Sequence, residues 1–326
     1  MQFKHRRIAL IFNPTGGSAR SGKIAALVQA LTERNLSCEQ LTTTAAPGSA
    51  RDLALAAASR GDIDLVIACG GDGTVCQVAE GLSPAQAEQK EQGELLPMAV
   101  FPSGTGNLFA RAFYAVPDPQ LFADMICRSE PQPIDMIEIK SAAASASDSE
   151  PTSTTQRYIV AGGFGRLSDA IALADPKWKR WFGSLAYAWG MLKASFNPQP
   201  VKYRITARQS PTQGTAMQMD CTAAALFALN TLPPQMMGLS RGCNASDGFM
   251  DLVLLKANTF GRLSRLSYRF MRGRADLSKD YVRIRCGWAR IETSRPVIPN
   301  IDGDVGAETC CVELRTIPGA ARIIVS

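Results

Sequence analysis
Apolar residues follow two different periods along this chain, and the change falls near residue 130. Before it, short unbroken apolar runs alternate with stretches whose apolar residues recur at every third or fourth position. The runs at 6–12 (RRIALIF), 63–68 (IDLVIA) and 97–101 (PMAVF) predict buried strands. From about residue 21, Ile24, Leu27, Val28 and Leu31 share one helical face. Ser49 opens a second helix over 50–60 that Gly61 stops, and further helices are expected at 74–82 and up to Phe113. Strand–helix repeats of this length predict a parallel sheet covered by helices on both faces.

After Pro131 the pattern becomes one of strands broken by turns: PIDMIEI, RYIVAG, VKYRITA, CTAAALFAL, GFMDLVLL, YVRIRC, ARIETS and CCVELRT. That pattern predicts an antiparallel β-rich domain. A helical stretch interrupts it at 181–194, and the polar tract 141–156 (SAAASASDSEPTSTTQ) is expected to be a flexible loop joining two strands. The expected architecture is an α/β domain over 1–131 followed by a β-rich domain over 132–315.

Each of the three predicted strands in the first half ends in a loop with little side-chain bulk. These loops are NPTGG (13–17), GGDGT (70–74) and PSGTGN (102–107). In an open parallel sheet they lie at the carboxyl edge, where ligands bind. Glycine lets a phosphate approach backbone N–H groups, and the following helix points its positive end at it. Asp72 would stand too close to that phosphate to serve by charge attraction. It fits better as a magnesium ligand or as a group orienting an acceptor hydroxyl. One such loop is also what an ordinary strand–helix turn looks like, but plain turns at three successive strand ends do not all need so many glycines. Residues 17–23 spell G-x-x-x-x-G-K, yet Ile24 occupies the place of the magnesium-binding hydroxyl, so Lys23 reads as a surface residue of a helix.

Composition narrows the chemistry. The single histidine, His5, lies beside Arg6 and Arg7, which argues against a Ser–His triad, a Cys–His pair or a histidine-rich zinc site and leaves proton transfer to carboxylates. The nine cysteines are scattered without a C-x-x-C pair, as expected of reduced thiols in the cytoplasm. No apolar run reaches the roughly 18 residues of a membrane span, and the N-terminus runs into a strand without a signal-peptide cleavage site. Net charge is +6, and residues 262–295 hold ten basic against three acidic side chains. Such a tract is either a solvated face or a contact for an anionic surface; with no nucleic-acid motif beside it, lipid is the expected partner. The segment 175–192, with Trp178, Trp181, Phe182 and Trp189 among basic residues, reads either as a helix packed into the second domain or as an interfacial surface.

In this order and spacing NPTGG, GGDGT and PSGTGN resemble the diacylglycerol kinase catalytic-domain family, which includes bacterial lipid kinases and sphingosine kinases. The second half agrees: SDGFMDLVLL is similar to the family's D-G-x-x-D-V segment, NIDGD to its late D-G-E motif and PGAARIIV to its closing strand. The resemblance implies a nucleotide-binding α/β domain, a C-terminal antiparallel β-sandwich, an active site in the cleft between them, and a final strand (316–326) that returns to the first domain. It implies an ATP site at Asn13, Pro14, Thr15, Gly16, Gly17, Thr44, Gly70, Gly71, Asp72, Gly73, Thr74, Val75, Cys76, Gly104, Thr105 and Asn107. It implies a catalytic carboxylate from Asp302, with Asp304 second and Asp72 third in order of preference. It also implies a Mg2+ site at Asn244, Asp247 and Phe249.

The chain departs from the family in three places. The D-G-E motif is here Asp302-Gly303-Asp304, GGDGT and Val75 are followed by Cys76 and Gln77 where many relatives carry N-E, and Asn107, Leu108, Phe109 and Ala110 stand where many carry N-D-F-A, with Leu108 in place of the D. The expected activity is transfer of the ATP γ-phosphoryl group to a lipid hydroxyl, diacylglycerol before a sphingoid base or ceramide, by a cytoplasmic protein touching the membrane peripherally. A homo-oligomer is left open. Three other readings stand beside it: a soluble kinase related to the NAD kinases, a P-loop NTPase dependent on Lys23, and a nucleotide- or lipid-binding regulator that transfers nothing.

Overall fold
The computed structural model describes residues 7–14, 18–83, 95–104, 107–113, 118–142, 153–165, 200–210, 214–233, 239, 241–302 and 304–325. The chain divides into two compact units, Met1–Ile134 with Gly319–Ser326, and Asp135–Pro318.

In the first unit β1 (Arg7–Phe12), β2 (Ser37–Thr42), β3 (Leu65–Gly70) and β4 (Met98–Pro102) pair in parallel in the order β2-β1-β3-β4. The late strand Thr309–Ile324 adds a parallel contact between Ile323 and Met98. β3 and β4 are buried at every position, as parallel strands covered on both faces must be. On one face Ile8, Leu10, Leu65, Ile67, Ala99 and Phe101 form a core with Leu27 and Leu31 of α1 (Ser18–Thr32) and Phe122 and Ile126 of α5 (Pro119–Arg128). The period of two turns the intervening strand residues to the opposite face, where α2 (Ser49–Arg60) and α3 (Asp72–Leu82) pack. The short helix α4 (Leu108–Phe113) follows β4.

Two devices fix α5. The Asp118 carboxylate accepts the N–H groups of Gln120 and Leu121 while Pro119 occupies the first turn. The Arg34 guanidinium then reaches from the end of α1 to Asp124 and to the Gln120 side chain. From β1 the chain passes to β2 on one side and afterwards to β3 on the other. The order therefore reverses between β1 and β3, and the crevice at their carboxyl ends is the position where open α/β sheets bind ligands.

The second unit is built on two antiparallel sheets. In the first, β5 (Pro131–Ala142) pairs with β6 (Ser153–Tyr158), and β8 (Val201–Arg208) lies between β9 (Met217–Ala223) and β13 (Trp288–Val297). The strand Thr309–Ile324, β16, continues this sheet beyond β13. In the second sheet β7 (Ala161–Phe164), β10 (Ala225–Leu229), β11 (Met250–Leu255) and β12 (Tyr281–Cys286) run in the order β12-β11-β10-β7, and the short pair β14 (Asn300–Ile301) and β15 (Asp304–Val305) completes it beside β7. The helix α6 (Phe260–Met271) connects β11 to β12.

Two strings expected as single strands are each divided. RYIVAG breaks at 159–160 between β6 and β7, and CTAAALFAL breaks at Ala224 between β9 and β10. A third break, Gly287, separates β12 from β13. At all three the chain leaves one sheet for the other, the corner by which strands close a sandwich. A Cβ on Gly287 would lie 2.4 Å from the Gln209 carbonyl oxygen, so this corner requires glycine.

The polar tract is shorter than expected. Ser141 pairs with Thr154 and Ala142 with Ser153, and the Ser141 and Thr154 hydroxyls are 2.7 Å apart. Side-chain hydrogen bonding and the β-propensity of threonine carry the ladder into a segment whose composition alone argued against order. Residues 143–152 lie outside the described residues, as does the helix expected at 181–194.

Phe122 meets Phe101 edge-on with ring centroids 5.2 Å apart and is buried in the first unit's core. Replacing Phe122 with Ala is expected to cost about 3–5 kcal/mol, read as a lower urea midpoint with an unchanged slope.

Candidate functional site
The loops after β3 and β4 touch backbone to backbone. The N–H groups of Ser103 and Gly104 donate to the Gly70 carbonyl oxygen at 3.1 and 3.2 Å. A Cβ on Gly104 would lie 2.4 Å from the Gly71 Cα and 2.9 Å from its nitrogen. Part of the glycine content therefore serves the approach of the two loops to each other. Two side chains lock that approach. The Asp72 carboxylate accepts the Phe109 N–H at 2.9 Å, joining the start of α3 to the start of α4. Asn107, at φ +50°, accepts the Gly104 N–H with Oδ1 and donates from Nδ2 to the Gly104 oxygen.

What remains open to a ligand is the first turn of α3. Gly71 caps the helix in extended conformation without a side-chain cap. Helix geometry leaves the Gly73 and Thr74 N–H groups without an intrahelical acceptor, and the dipole favours an anion there. This turn leaves β3 at the switch point, beside the segment Asn13–Pro14 that leaves β1. The residues present fit a chain of phosphates.

Several expected nucleotide contacts are corrected. Val75 and Cys76 are buried side chains, and the Val75 N–H is spent on the Gly71 oxygen. Both amide groups of the Asn107 side chain are engaged within its own loop, so it shapes the loop rather than the ligand. Thr44 is exposed just beyond β2; its Oγ1 accepts the Ala46 N–H and its own N–H donates to Ser49 Oγ. Thr15, Gly16, Gly17 and Thr105 lie outside the described residues. The P-loop spelling fails on geometry: α1 starts at Ser18, so 18–23 is helix rather than loop, and Lys23 is exposed on it.

In the second unit Asp302 and Asp304 have different duties. Asp302 sits at φ +47° in the turn between the paired residues Ile301 and Asp304, the left-handed conformation an Asp-Gly hairpin uses. Its carboxylate accepts the N–H groups of Ile159 at 2.9 Å, Val160 at 3.1 Å and Ala161 at 2.8 Å. Those are the donors exposed where the chain turns from β6 into β7. The preferred catalytic carboxylate is thus committed to holding a sheet corner. Among the described residues Asp304 has no such partners: it is exposed on the edge ribbon β14–β15, where desolvation by the surrounding protein raises its pKa above the ordinary 3.8.

The expected magnesium site does not fit a metal. Asn244 Oδ1 accepts the Ser246 N–H, and Asp247 Oδ1 accepts the Phe249 N–H at 3.0 Å. The other Asp247 oxygen takes Arg285 at 2.6 Å, and that guanidinium also lies over the Phe249 ring, 4.9 Å from its centroid. A guanidinium occupies the place of the cation. The turn is held from beneath by buried Asp135, whose Oδ2 accepts the Gly248 N–H and whose N–H donates to the Ala245 oxygen. The pairing of Asp247 with Arg285 spans 38 residues and had no local signal. Among the described residues no group of three or more His, Cys, Asp or Glu could hold a metal.

The cysteines carry no reactive signature. Burial pushes the Cys38 thiol up to about 11 and those of Cys243 and Cys286 up to about 12. A cavity of about 480 Å³ on β8, β9 and β13 has charged walls that include the Arg204–Asp220 pair, and it contains none of the candidate residues.

Two outcomes follow from this geometry. Gly104→Ala drives a methyl into the Gly71 backbone, and kcat/KM for ATP is expected to fall by roughly 100-fold, the cost of a misplaced binding loop, in steady-state assays. The second concerns the turn at 244–249. The thermal midpoint of the wild type should be the same in excess chelator and in excess Mg2+, whereas Arg285→Ala, which frees the Asp247 oxygen, should be stabilised by added Mg2+. A chelator-sensitive wild type would return the metal to this turn.

The chain is similar to several known proteins. Residues 7–139 match the model of the diacylglycerol kinase catalytic domain. A diacylglycerol kinase of Bacillus subtilis is 27% identical over 307 residues, covering 92% of this chain and 90% of that protein. A protein of Stenotrophomonas maltophilia named probable lipid kinase YegS-like is 26% identical, covering 80% of this chain and 78% of the other. Among solved structures, one of a diacylglycerol kinase from Bacillus anthracis str. Sterne covers 99% of this chain and 98% of its own at 18% identity and a TM-score of 0.68, a likeness of fold. Through residues 7–139 this chain is similar to the diacylglycerol kinase catalytic-domain family.

Proposed function
We propose that this protein is a lipid kinase that transfers the γ-phosphoryl group of ATP to a lipid hydroxyl, with diacylglycerol as the first acceptor to test and a sphingoid base or ceramide next. The observation that carries this reading is the uncapped start of α3 at the β1/β3 switch point, a phosphate site walled by backbone. The names of the relatives support the acceptor class.

The roles divide as follows. ATP supplies the phosphoryl group, and Mg2+ travelling with its phosphates neutralises their charge. The N–H groups of Gly73 and Thr74 hold phosphate oxygens. Asp72 keeps the third loop against the second through the Phe109 N–H, so that both loops present one surface. Asp304 accepts the hydroxyl proton as the lipid oxygen attacks in line. A pKa raised by desolvation improves it as a base, because proton transfer is most efficient when the catalyst's pKa lies near the operating pH. Asp302 positions Asp304 by fixing the turn that precedes it.

Transfer of radiolabelled γ-phosphate from ATP to a lipid panel in mixed micelles tests the reading. Asp304→Asn should lower kcat by about 10²–10⁴-fold with KM for ATP and thermal stability unchanged, while Asp304→Glu, which restores the family's motif, should stay active. Asn tolerates the left-handed turn, so Asp302→Asn isolates the loss of the carboxylate; it should cost about 1.5–3 kcal/mol of stability. Because the base must be ionised, kcat/KM falls as pH drops through the raised pKa of Asp304, and this acid limb should lie above 3.8 and vanish in Asp304→Asn. The stability contribution has the opposite sign: native Asp304 holds its proton more tightly than the unfolded chain, so its share declines as pH rises through that range. ATP binding with no label on any lipid would overturn the kinase reading in favour of a nucleotide-binding regulator.

A further inference from the structure
The basic tract noted in the sequence separates into two populations. Along β12 and β13 the cations are spent: Arg283 pairs with Asp251 at 2.7 Å, Arg285 with Asp247 at 2.6 Å and Arg290 with Glu292 at 3.0 Å. On α6 and around the 3-10 turn after it, Ala275–Leu277, Arg262 is spent on Asp280, but among the described residues the other cations pair with no carboxylate. Residues 260–280 contain six basic and two acidic side chains, a local +4 within a chain of net +6. Both acids are already neutralised, Asp280 by Arg262 and Asp276 by Arg241. Arg265, Arg274 and Lys279 are exposed and have no carboxylate within ion-pair distance among the described residues, and the Arg272 guanidinium rests only on the Tyr268 ring, 5.4 Å from its centroid.

The same surface carries apolar groups that the domain does not cover. Leu263, Leu266 and Phe270 turn inward with Ser267, so the inner face of α6 is already buried. On the outside Phe260 is 46%, Tyr268 53% and Leu277 68% exposed. Arg265, Tyr268 and Arg272 follow one another at helical spacing on one stripe. Arg269 donates to the Leu277 carbonyl oxygen at 2.6 Å, so Leu277 is held at the end of the helix. Among the described residues no helix is long and apolar enough to cross a membrane.

We propose that the outer face of α6, with the Ala275–Leu277 turn, is the surface by which this protein lies on an anionic lipid bilayer. Unpaired guanidinium groups meet lipid phosphates, and the aromatic and leucine side chains enter the headgroup layer, the pairing that interfacial helices use. The exposed apolar side chains distinguish a bilayer from a nucleic-acid backbone, which would satisfy the charges and leave Phe260, Tyr268 and Leu277 in water. The choice of lipid over other polyanions also rests on the lipid-kinase reading; the charge and exposure do not.

The test is co-sedimentation of the full chain with vesicles of pure phosphatidylcholine and of phosphatidylcholine with phosphatidylglycerol. Wild type should bind only the anionic vesicles, with affinity falling as salt rises. The triple variant Arg265→Glu, Arg272→Glu, Arg274→Glu should bind them at least roughly 100-fold more weakly. Phe260→Ser with Tyr268→Ser and Leu277→Ser should weaken binding at constant charge. All six positions face solvent, and unchanged far-UV circular dichroism and thermal midpoint check that the variants fold. Activity on a short-chain acceptor below its micelle concentration should be retained in both variants. Equal vesicle binding by wild type and the charge variant overturns the proposal, as does binding of a single-stranded RNA probe without binding of anionic vesicles. Vesicle binding is read without catalysis, so an inactive protein that still binds through this face separates failure of the kinase reading from failure of this one.

Discussion
The first unit depends on a contact between two stretches of bare backbone. Gly71 and Gly104 approach so closely that neither loop can move without the other, and the Gly70 carbonyl accepts two N–H groups from the neighbouring loop. Such a contact is rigid because it contains no rotatable side chain. It also depends on what surrounds it, since backbone groups cannot adjust their reach. The Asp72 carboxylate supplies that support by capping the helix after the opposite loop. A negative charge in this glycine-rich turn is then less paradoxical: its oxygen is directed at a backbone donor, and it holds the two loops together.

The second unit solves a different problem. Its strands change sheets at corners, and each corner exposes backbone donors that no ladder satisfies. At 159–161 three of these N–H groups converge on the Asp302 carboxylate. At Ala224 the N–H reaches the Leu255 oxygen, and at Gly287 the backbones close directly on each other. Holding the most demanding corner with Asp302 fixes the hairpin that follows, and with it the direction in which Asp304 projects from the sheet edge. One motif thus contains a carboxylate spent on backbone donors and a carboxylate that projects from the sheet edge, two residues apart.

Much of this was legible beforehand, for physical reasons. Buried parallel strands announce themselves as unbroken apolar runs, and loops at the carboxyl edge announce themselves through glycine. The assignment between Asp302 and Asp304 was not legible, because Asp-Gly is also a hairpin signal and a sequence does not say which backbone donors surround a carboxylate. Val75 and Cys76 were hard to place for a related reason: they continue the glycine-rich motif in sequence, but the helix has already turned their side chains into the core. Arg285 at Asp247 was invisible because it depends on the register of β12 against β11, which sets Asp251 opposite Arg285 and brings the guanidinium to the turn just before β11. Strand division at Ala224 was missed because alanines 223–225 run through the corner, so the local hydrophobic pattern carries no break there.

Charge shows the same limit. Counted along the sequence, residues 262–295 form one basic tract. Pairing divides it, since the strand arginines lie beside Asp251 on β11, Asp247 in the turn before it and Glu292 on β13 itself, while a surface helix has neighbours only on its inner side. Cations on β12 and β13 therefore contribute to the fold and lose most of their reach into solvent, whereas Arg265, Arg272, Arg274 and Lys279 on and after α6 keep it. Ion pairs at exposed positions are weak, roughly 0–1 kcal/mol, so Arg285 and Arg290 are no great source of stability either. Their pairing matters more because it removes them from any long-range field, leaving the helix as the segment whose charge an approaching polyanion would feel.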